Sequence, residues 1–433
     1  MKKNLKFGVK MLFSLFIFYN LIYIGANAAN NNPPNINAEA AILIDANTGD
    51  VLYSKKGEDK HFPASTTKVL TALITLEHTN LNDVVTIGPN PPFAKGSSIG
   101  LKEGEKFTVE TLLTGLLLES GNDCAEALAE HVGGSIDNFA KMMNEKAKEL
   151  GCTNSNFVNP SGLPDDNHVT TAHDLALIMQ AALKNNDFIR ISRLVSVELP
   201  ASNLDGQKRW ANNHNYLINP NSKYFYKYAL AGKSGYTDVA RHTFIISGEK
   251  DGQRLIAVFL KAEDKNKNYE DMAKLLDYGF NNFENIKLYS KGQEIENVKI
   301  GKDTNIPLLI DRDVFATIKR DEANSVKPTI NYDLPKNIDK MTISKGEDLT
   351  KGTILFNGNE IEQVNLVSGG SREYSSKVAI TEFLQRNSIL VIGITILFII
   401  CILILIRIHI VRKRRKRLAF KRRWQHLNNR KRY

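Results

Sequence analysis

Three cysteines in 433 residues are too few for a disulfide framework. Cys401 lies in a long apolar run near the C-terminus, and Cys124 and Cys152 fall in separate helical patterns, so two buried thiols are expected there. No His/Cys/Asp/Glu group has the spacing of metal ligands, so neither a metal nor any other cofactor is expected. The nine histidines are scattered. Neither His173 nor His214 has a placed acidic partner, which sets aside a Ser-His-Asp triad. Internal repeats and low-complexity tracts are also missing, which excludes solenoid and disordered classes. Charge of one sign dominates only at the ends. The formal net charge is +10, yet thirteen Lys and Arg and no acid lie between Arg407 and Tyr433, and Lys2, Lys3, Lys6 and Lys10 add four more. Residues 11–406 are therefore acidic, at −7. That balance argues against a nucleic-acid partner, because the basic charge sits in terminal segments with another explanation.

Those segments read as addresses. Residues 1–28 have a lysine-bearing start, an apolar run over Met11–Gly25 and a small-residue Ala26-Asn27-Ala28, the pattern of a secretory signal cleaved before Ala29. Ile389–Ile406 carries no charge over eighteen residues, about 27 Å as a helix, close to a hydrocarbon core of about 30 Å. The basic run Arg412–Arg417 follows at once. By the positive-inside rule the tail, residues 411–433, is cytoplasmic, and the chain before the span is exported and extracytoplasmic. The expected organisation is a signal (1–28), a catalytic domain (35–285), a small β-rich domain (286–370), a linker (371–387), a single membrane helix (388–410) and a basic tail.

Between the ends the pattern is α+β. Ala40–Ile44 and Val51–Ser54 flank a turn-rich Asp45–Asp50 and predict a hairpin. A helix starts near Ser65 with a broad apolar stripe (Val69, Leu70, Leu73, Ile74, Leu76). Helices follow over Thr108–Glu119, Asp123–Val132, Ile136–Leu150 and Thr171–Lys184, the last with Thr170 or Thr171 as cap. Phe225–Lys233, Thr243–Ser247 and Arg254–Lys261 read as strands, and Tyr269–Phe280 as a closing helix. Beyond residue 286, short β-like runs recur (Glu296–Ile300, Ile306–Ile310, Phe315–Lys319, Ile354–Phe356, Glu362–Leu366), and Ser368–Gln385 reads as a linker.

Three short signals carry chemistry. Ser65 and Lys68, spaced i, i+3 at a helix start, share one face about a turn apart. A neutral lysine there could take the serine proton beside a helix N-terminus that favours negative charge. Ser120-Gly121-Asn122 and Lys233-Ser234-Gly235 follow in order. Gly96-Ser97-Ser98-Ile99-Gly100 fits a nucleophile elbow, but prolines precede it and Leu101-Lys102-Glu103-Gly104 follow, so the strand and helix that motif needs are missing.

Together the three signals resemble the penicillin-recognising serine acyl-transferases, whose third motif is usually Lys-Thr-Gly. Pro63–Lys68, Gly96-Ser97-Ser98, Leu118–Asp123, Asn159–Leu163, Lys233–Thr237 and Leu275–Phe280 each resemble stretches of the D-alanyl-D-alanine carboxypeptidases, the low-molecular-weight penicillin-binding proteins of serine peptidase family S11. The similarity covers about residues 35–370. It implies a β-lactamase/transpeptidase-like catalytic domain, an antiparallel sheet with helices, followed by a small all-β domain. It also implies removal of the terminal D-alanine from peptidoglycan stem peptides, with β-lactams as covalent inhibitors.

By that resemblance Ser65 is the nucleophile, Lys68 the general base and Ser120 a proton relay, with Asn122 holding Lys68 and the substrate amide. Lys233 and Ser234 bind the terminal carboxylate beside Gly235 and Thr237, and the backbone N–H groups of Ser65 and Tyr236 form an oxyanion hole. Half-neutrality of Lys68 at pH 7 needs a fall of about three pKa units, roughly 4 kcal/mol, from burial and the second cation Lys233. Ser234 replaces the usual Thr. An Arg that often supports the carboxylate is replaced by Asn268, with Lys267 beside it. The family usually attaches by a C-terminal amphipathic helix rather than a span. Two alternatives stand beside this reading: a class A-type β-lactamase, whose Glu-x-x-Leu-Asn is missing between Asn122 and Lys233, and a non-catalytic peptidoglycan-binding scaffold.

Overall fold

The computed structural model describes residues 32–204, 206–301, 304–321, 327–356, 358–374 and 376–429. The expected signal over 1–28 and the last four residues of the tail lie outside the described residues. The chain divides into two compact units. One runs to Lys287 and takes in Phe315–Val326; the other comprises Leu288–Val314 and the chain from Lys327 onward. Phe315–Lys319, read from sequence with the β-rich part, thus falls in the first unit.

The first unit is built on a five-stranded antiparallel sheet of β1 (Ala38–Asp45), β2 (Val51–Lys55), β3 (Ala229–Thr237), β4 (Arg241–Lys250) and β5 (Gln253–Ala262), in the order β2-β1-β5-β4-β3. The near-continuous apolar run in β5 follows from cover on both faces. With a side-chain period of two, Ile256, Val258 and Leu260 enter the core shared with the helices Lys68–His78, Asn122–Gly133 and Ala172–Ala182. Leu255, Ala257 and Phe259 face the opposite way, against Met272, Leu275, Leu276 and Phe280 of the helix Lys265–Asn282. Truncating Leu70, fully buried in the first core, would cost about 2–5 kcal/mol.

The hairpin, the helices and three of the strands lie where the residue pattern puts them, with shifted ends. The helix of Ala172–Ala182 is capped by Thr171, whose Oγ1 accepts from Asp174 N–H at 3.0 Å. The closing helix begins at Lys265, because Asp264 accepts from the N–H groups of Asn266 and Lys267. Phe225–Tyr228, read as strand, is irregular and turning chain whose Tyr226 and Tyr228, with Tyr224 just before them, pack on the second core, and the strand starts only at Ala229. A helix over Asn186–Ser192 and a ribbon of Ser196–Leu199 with Arg209–Asn212 had no signal. Cys124 and Cys152 are free and buried.

The second unit has a five-stranded sheet in the order Glu294–Ile300, Thr304–Ile310, Asn359–Ser368, Asp348–Phe356, Thr329–Tyr332. Its core is Ile300, Ile306, Leu308, Ile310, Val314, Ile354, Val364 and Leu366 with their neighbours. The stretch read as a linker contains a helix, Ser376–Arg386, and a 42-residue helix over Ser388–Asn429 follows. That helix is long and apolar enough to cross a membrane, and its apolar side chains from Ile392 to Ile406 are exposed.

Candidate active site

The nucleophile candidate sits on a 3-10 turn, Ala64–Thr67, that feeds the Lys68–His78 helix, so the regular helix begins at Lys68 rather than at Ser65. Ala64 is held at φ 50°, a left-handed conformation costly for a residue with a Cβ. Its surroundings impose it. Thr243 Oγ1 and Thr66 Oγ1 both donate to Pro63 C=O, at 2.8 and 2.7 Å. Gly162, at φ +84°, lies so close that a Cβ on it would stand 1.8 Å from Ala64 O. Gly235 on β3 is equally constrained, since a Cβ there would meet Ser65 N and Thr243 Oγ1 at 2.6 Å each. The backbone of the Lys233-Ser234-Gly235 strand therefore passes directly against the Ser65 amide.

Lys68 is fully buried. Its Nζ has three partners: Asn122 Oδ1 at 2.7 Å, Ser161 C=O at 2.7 Å and Ser65 Oγ at 3.1 Å. Two are pure acceptors. A neutral amine has two N–H bonds and one lone pair, so when those carbonyls take the N–H groups the lone pair is left for the serine hydroxyl to donate into. Burial first, and then the charge of Lys233, push the Lys68 pKa well below the usual lysine range. The Asn122 amide is fixed at both ends, because its Nδ2 donates to Lys95 C=O at 2.5 Å.

Ser120 ends a π-helical turn, Gly115–Glu119, and stands at φ 65°. Its hydroxyl is buried and has no hydrogen-bond partner among the described residues. Asp123, three residues on, gathers the Gly96–Leu101 loop, accepting from Ser98 Oγ at 2.6 Å and from the N–H groups of Ile99 and Leu101. Ser98 is thereby spent on structure, while Ser97 faces the cleft.

A cleft of about 370 Å³ brings together Ser65, Ser97, Ser120, Lys233, Ser234, Gly235 and Tyr236. Thr237 lies outside it, and its Oγ1 accepts from Ala240 N–H at 3.1 Å in the turn that follows. Lys233 is buried, and burial lowers its pKa to about 7 against an opposing pull from Glu119. Ser234 Oγ lies 3.5 Å from His214 C=O, which also accepts from Tyr269 OH at 2.7 Å.

Several residues to which the sequence assigned no role reach this site. The Ser161 carbonyl comes from the Asn159–Leu163 loop, where Asn159 Oδ1 accepts from the N–H groups of Ser161, Gly162 and Leu163. His168 supports the same region. Its Nδ1 accepts from Val158 N–H at 3.2 Å, which leaves Nε2–H to donate to Thr67 Oγ1 at 2.9 Å. Burial lowers its pKa to about 4. His214, His242, Lys265, Asn268 and Tyr269 complete the cleft wall. Two histidines do have acidic partners, contrary to the sequence reading: His214 Nε2 is 3.5 Å from Glu119 and His173 Nδ1 is 2.8 Å from Glu58. The fold brings these pairs together from distant segments, and the described hydrogen bond to Ser65 Oγ comes from Lys68.

Comparison with known proteins places the chain in a family. The family described as D-alanyl-D-alanine carboxypeptidase (peptidase S11) matches residues 27–264, and the one described as penicillin-binding protein 5, C-terminal domain, matches 283–374. The chain is 32% identical to D-alanyl-D-alanine carboxypeptidase DacF of Bacillus subtilis, over 81% of this chain and 89% of that one. It is also 32% identical to DacA of Escherichia coli K12, over 77% and 83%. Penicillin-binding protein 5 from Haemophilus influenzae superposes with a TM-score of 0.67 at 27% identity, covering 78% of this chain and 98% of that one. With more than half its length matched, and a serine, a buried lysine and a lysine-bearing strand meeting in one cleft, the chain belongs to the D-alanyl-D-alanine carboxypeptidase family, peptidase family S11.

Proposed function

We propose that this chain removes the terminal D-alanine from peptidoglycan stem pentapeptides through an acyl-enzyme on Ser65. The observation that carries the reading is the Lys68 amine, buried, with its pKa pushed well below the usual lysine range, 3.1 Å from Ser65 Oγ. Lys68 takes the hydroxyl proton as Oγ attacks the carbonyl of the penultimate D-alanine. The oxyanion lies between the backbone N–H groups of Ser65 and Tyr236, each worth about 3–4 kcal/mol in comparable sites. As the C–N bond breaks, the proton reaches the leaving amine through Ser120, whose unpartnered hydroxyl is free to turn. Water then hydrolyses the ester. Asn122 holds Lys68, and Lys233 with Ser234, beside Gly235, meets the terminal carboxylate.

Wild-type protein incubated with pentapeptide should release D-alanine and be labelled by a fluorescent penicillin, and Ser65→Ala should do neither. Labelling that survives the change would sink the assignment. Rapid turnover of the penicillin would favour the β-lactamase alternative; the lack of Glu-x-x-Leu-Asn between Asn122 and Lys233 stands against it. Binding of pentapeptide without release would favour a scaffold.

The location follows the charge pattern. Residues 1–28 direct export, 388–410 cross the membrane once, and the tail from 411 stays cytoplasmic by the positive-inside rule. The catalytic domain over 35–285 and the β-rich domain over 286–370 then face the peptidoglycan outside, with no role for nucleic acid.

A further inference from the structure

The cleft has two ammonium groups among the described residues that line it, and they differ in kind. Lys233 is buried, donates to its neighbour's carbonyl (Ser234 C=O, 3.0 Å), and burial lowers its pKa to about 7, so it is only partly charged at neutral pH. An approaching substrate carboxylate therefore does not meet a permanent cation there. Lys265 is the other. It is exposed, stands in the first turn of the helix Lys265–Asn282, and lines the cleft beside Asn268 and Tyr269. Its Nζ lies 5.3 Å from the Tyr216 ring centroid, a contact that holds the ammonium over an aromatic face without consuming its donors. Burial lowers the pKa of both cleft histidines first, and the Lys265 charge adds to it, as the second cause at His242 and as a small one, after Lys233, at His214. Asn268, one turn on, is nine-tenths buried, and its Oδ1 has no donor partner, so this wall holds polar capacity that the fold itself leaves unused.

We infer that Lys265 is a specificity-determining residue, the exposed ammonium at the cleft wall that selects substrates ending in a free carboxylate and guides that carboxylate toward Lys233 and Ser234, with Asn268 as the neutral polar group at its side. The inference rests on the carboxypeptidase reading. It assigns Lys265 to substrate capture and not to proton transfer, which stays with Ser65, Lys68 and Ser120. An exposed ammonium acts through water and salt, so its effect is screened as ionic strength rises.

The test uses the full-length protein in detergent. D-alanine release from a pentapeptide is measured for wild type, Lys265→Ala and Lys265→Arg at low and high salt. The same pentapeptide ending in a carboxamide serves as a competing ligand. Lys265→Ala should lower kcat/KM about five- to tenfold at low salt, with the loss carried by KM, and should reduce the preference for the carboxylate over the carboxamide by the same factor. The salt dependence should shrink, and Lys265→Arg should restore all three. A kcat/KM within twofold of wild type, or a loss that spares the carboxylate preference and the salt dependence, would overturn the inference while D-alanine release still upholds the parent reading. A wild-type protein that releases no D-alanine would overturn both. Because Lys265 is exposed, a melting temperature within a degree or two of wild type serves as the check on folding.

Discussion

Asn122→Asp tests the heart of the site with the smallest change of shape. The side-chain oxygen that accepts from Lys68 lies 2.7 Å from Nζ, and the substitution keeps an oxygen there while adding a charge. At an effective dielectric of 20 the new attraction is about 6 kcal/mol. Half of it, about 3 kcal/mol, raises the Lys68 pKa by about two units, which moves the pH at which the neutral amine appears about two units higher. The sign is fixed: a raised lysine pKa removes base at neutral pH and returns it as pH climbs. Acylation by a fluorescent penicillin, followed by stopped flow from pH 6 to 10, should have its rising limb displaced about two pH units upward, falling by up to about a hundredfold on that limb and recovering toward alkaline pH. Asn122→Ala is the control. Both variants lose the Nδ2 bond to Lys95 C=O, so the difference between their pH profiles reports the charge. A rising limb that stays at its wild-type pH in Asn122→Asp, or a loss with the same pH profile as Asn122→Ala, would refute a Lys68 base.

Other outcomes follow from the same geometry. Lys233 is charged only below its lowered pKa of about 7, so kcat/KM should fall on the alkaline side as that charge is lost; Lys233→Arg, charged throughout, should move the fall above about pH 9. Gly235→Ala must push β3 off the Ser65 amide, because its Cβ would stand 2.6 Å from Ser65 N. A shift approaching 1 Å costs about a hundredfold in acylation rate, with the circular dichroism spectrum unchanged. His168 binds its proton only near pH 4 in the fold, against about 6.5 unfolded. Its stabilisation is complete above pH 6.5 and is lost as pH falls through 4, about 3 kcal/mol in all. Urea unfolding at pH 7 and pH 4.5 should show that slope, and His168→Gln should flatten it.

What the sequence displayed and what it hid separate along one line. Features set by near neighbours were legible: the hairpin around Asp45–Asp50, the Thr171 cap, the apolar stripe of the Lys68–His78 helix, and the three short motifs that reach the cleft. Features set by distant contacts were not. Nothing near Ala64 in the chain requires φ 50°; Gly162 and Thr243 impose it. The Ser161 carbonyl bonds Lys68 across 93 positions, and a backbone group leaves no mark on residue type. Tyr224–Tyr228 has strand propensity but is drawn into an aromatic cluster with Tyr269 and Phe280. Lys265 looks like one more surface lysine until the fold lays its helix along the cleft.

The central claim is that Ser65 carries the acyl group and Lys68 activates it. Mass spectrometry of the full-length protein, incubated with penicillin and digested, tests it most directly. One penicilloyl adduct should map to the peptide containing Ser65, persist for minutes or longer, and be absent from Ser65→Ala and strongly reduced in Lys68→Ala at neutral pH. An adduct on another residue, or one of undiminished yield and rate in Lys68→Ala, would contradict it.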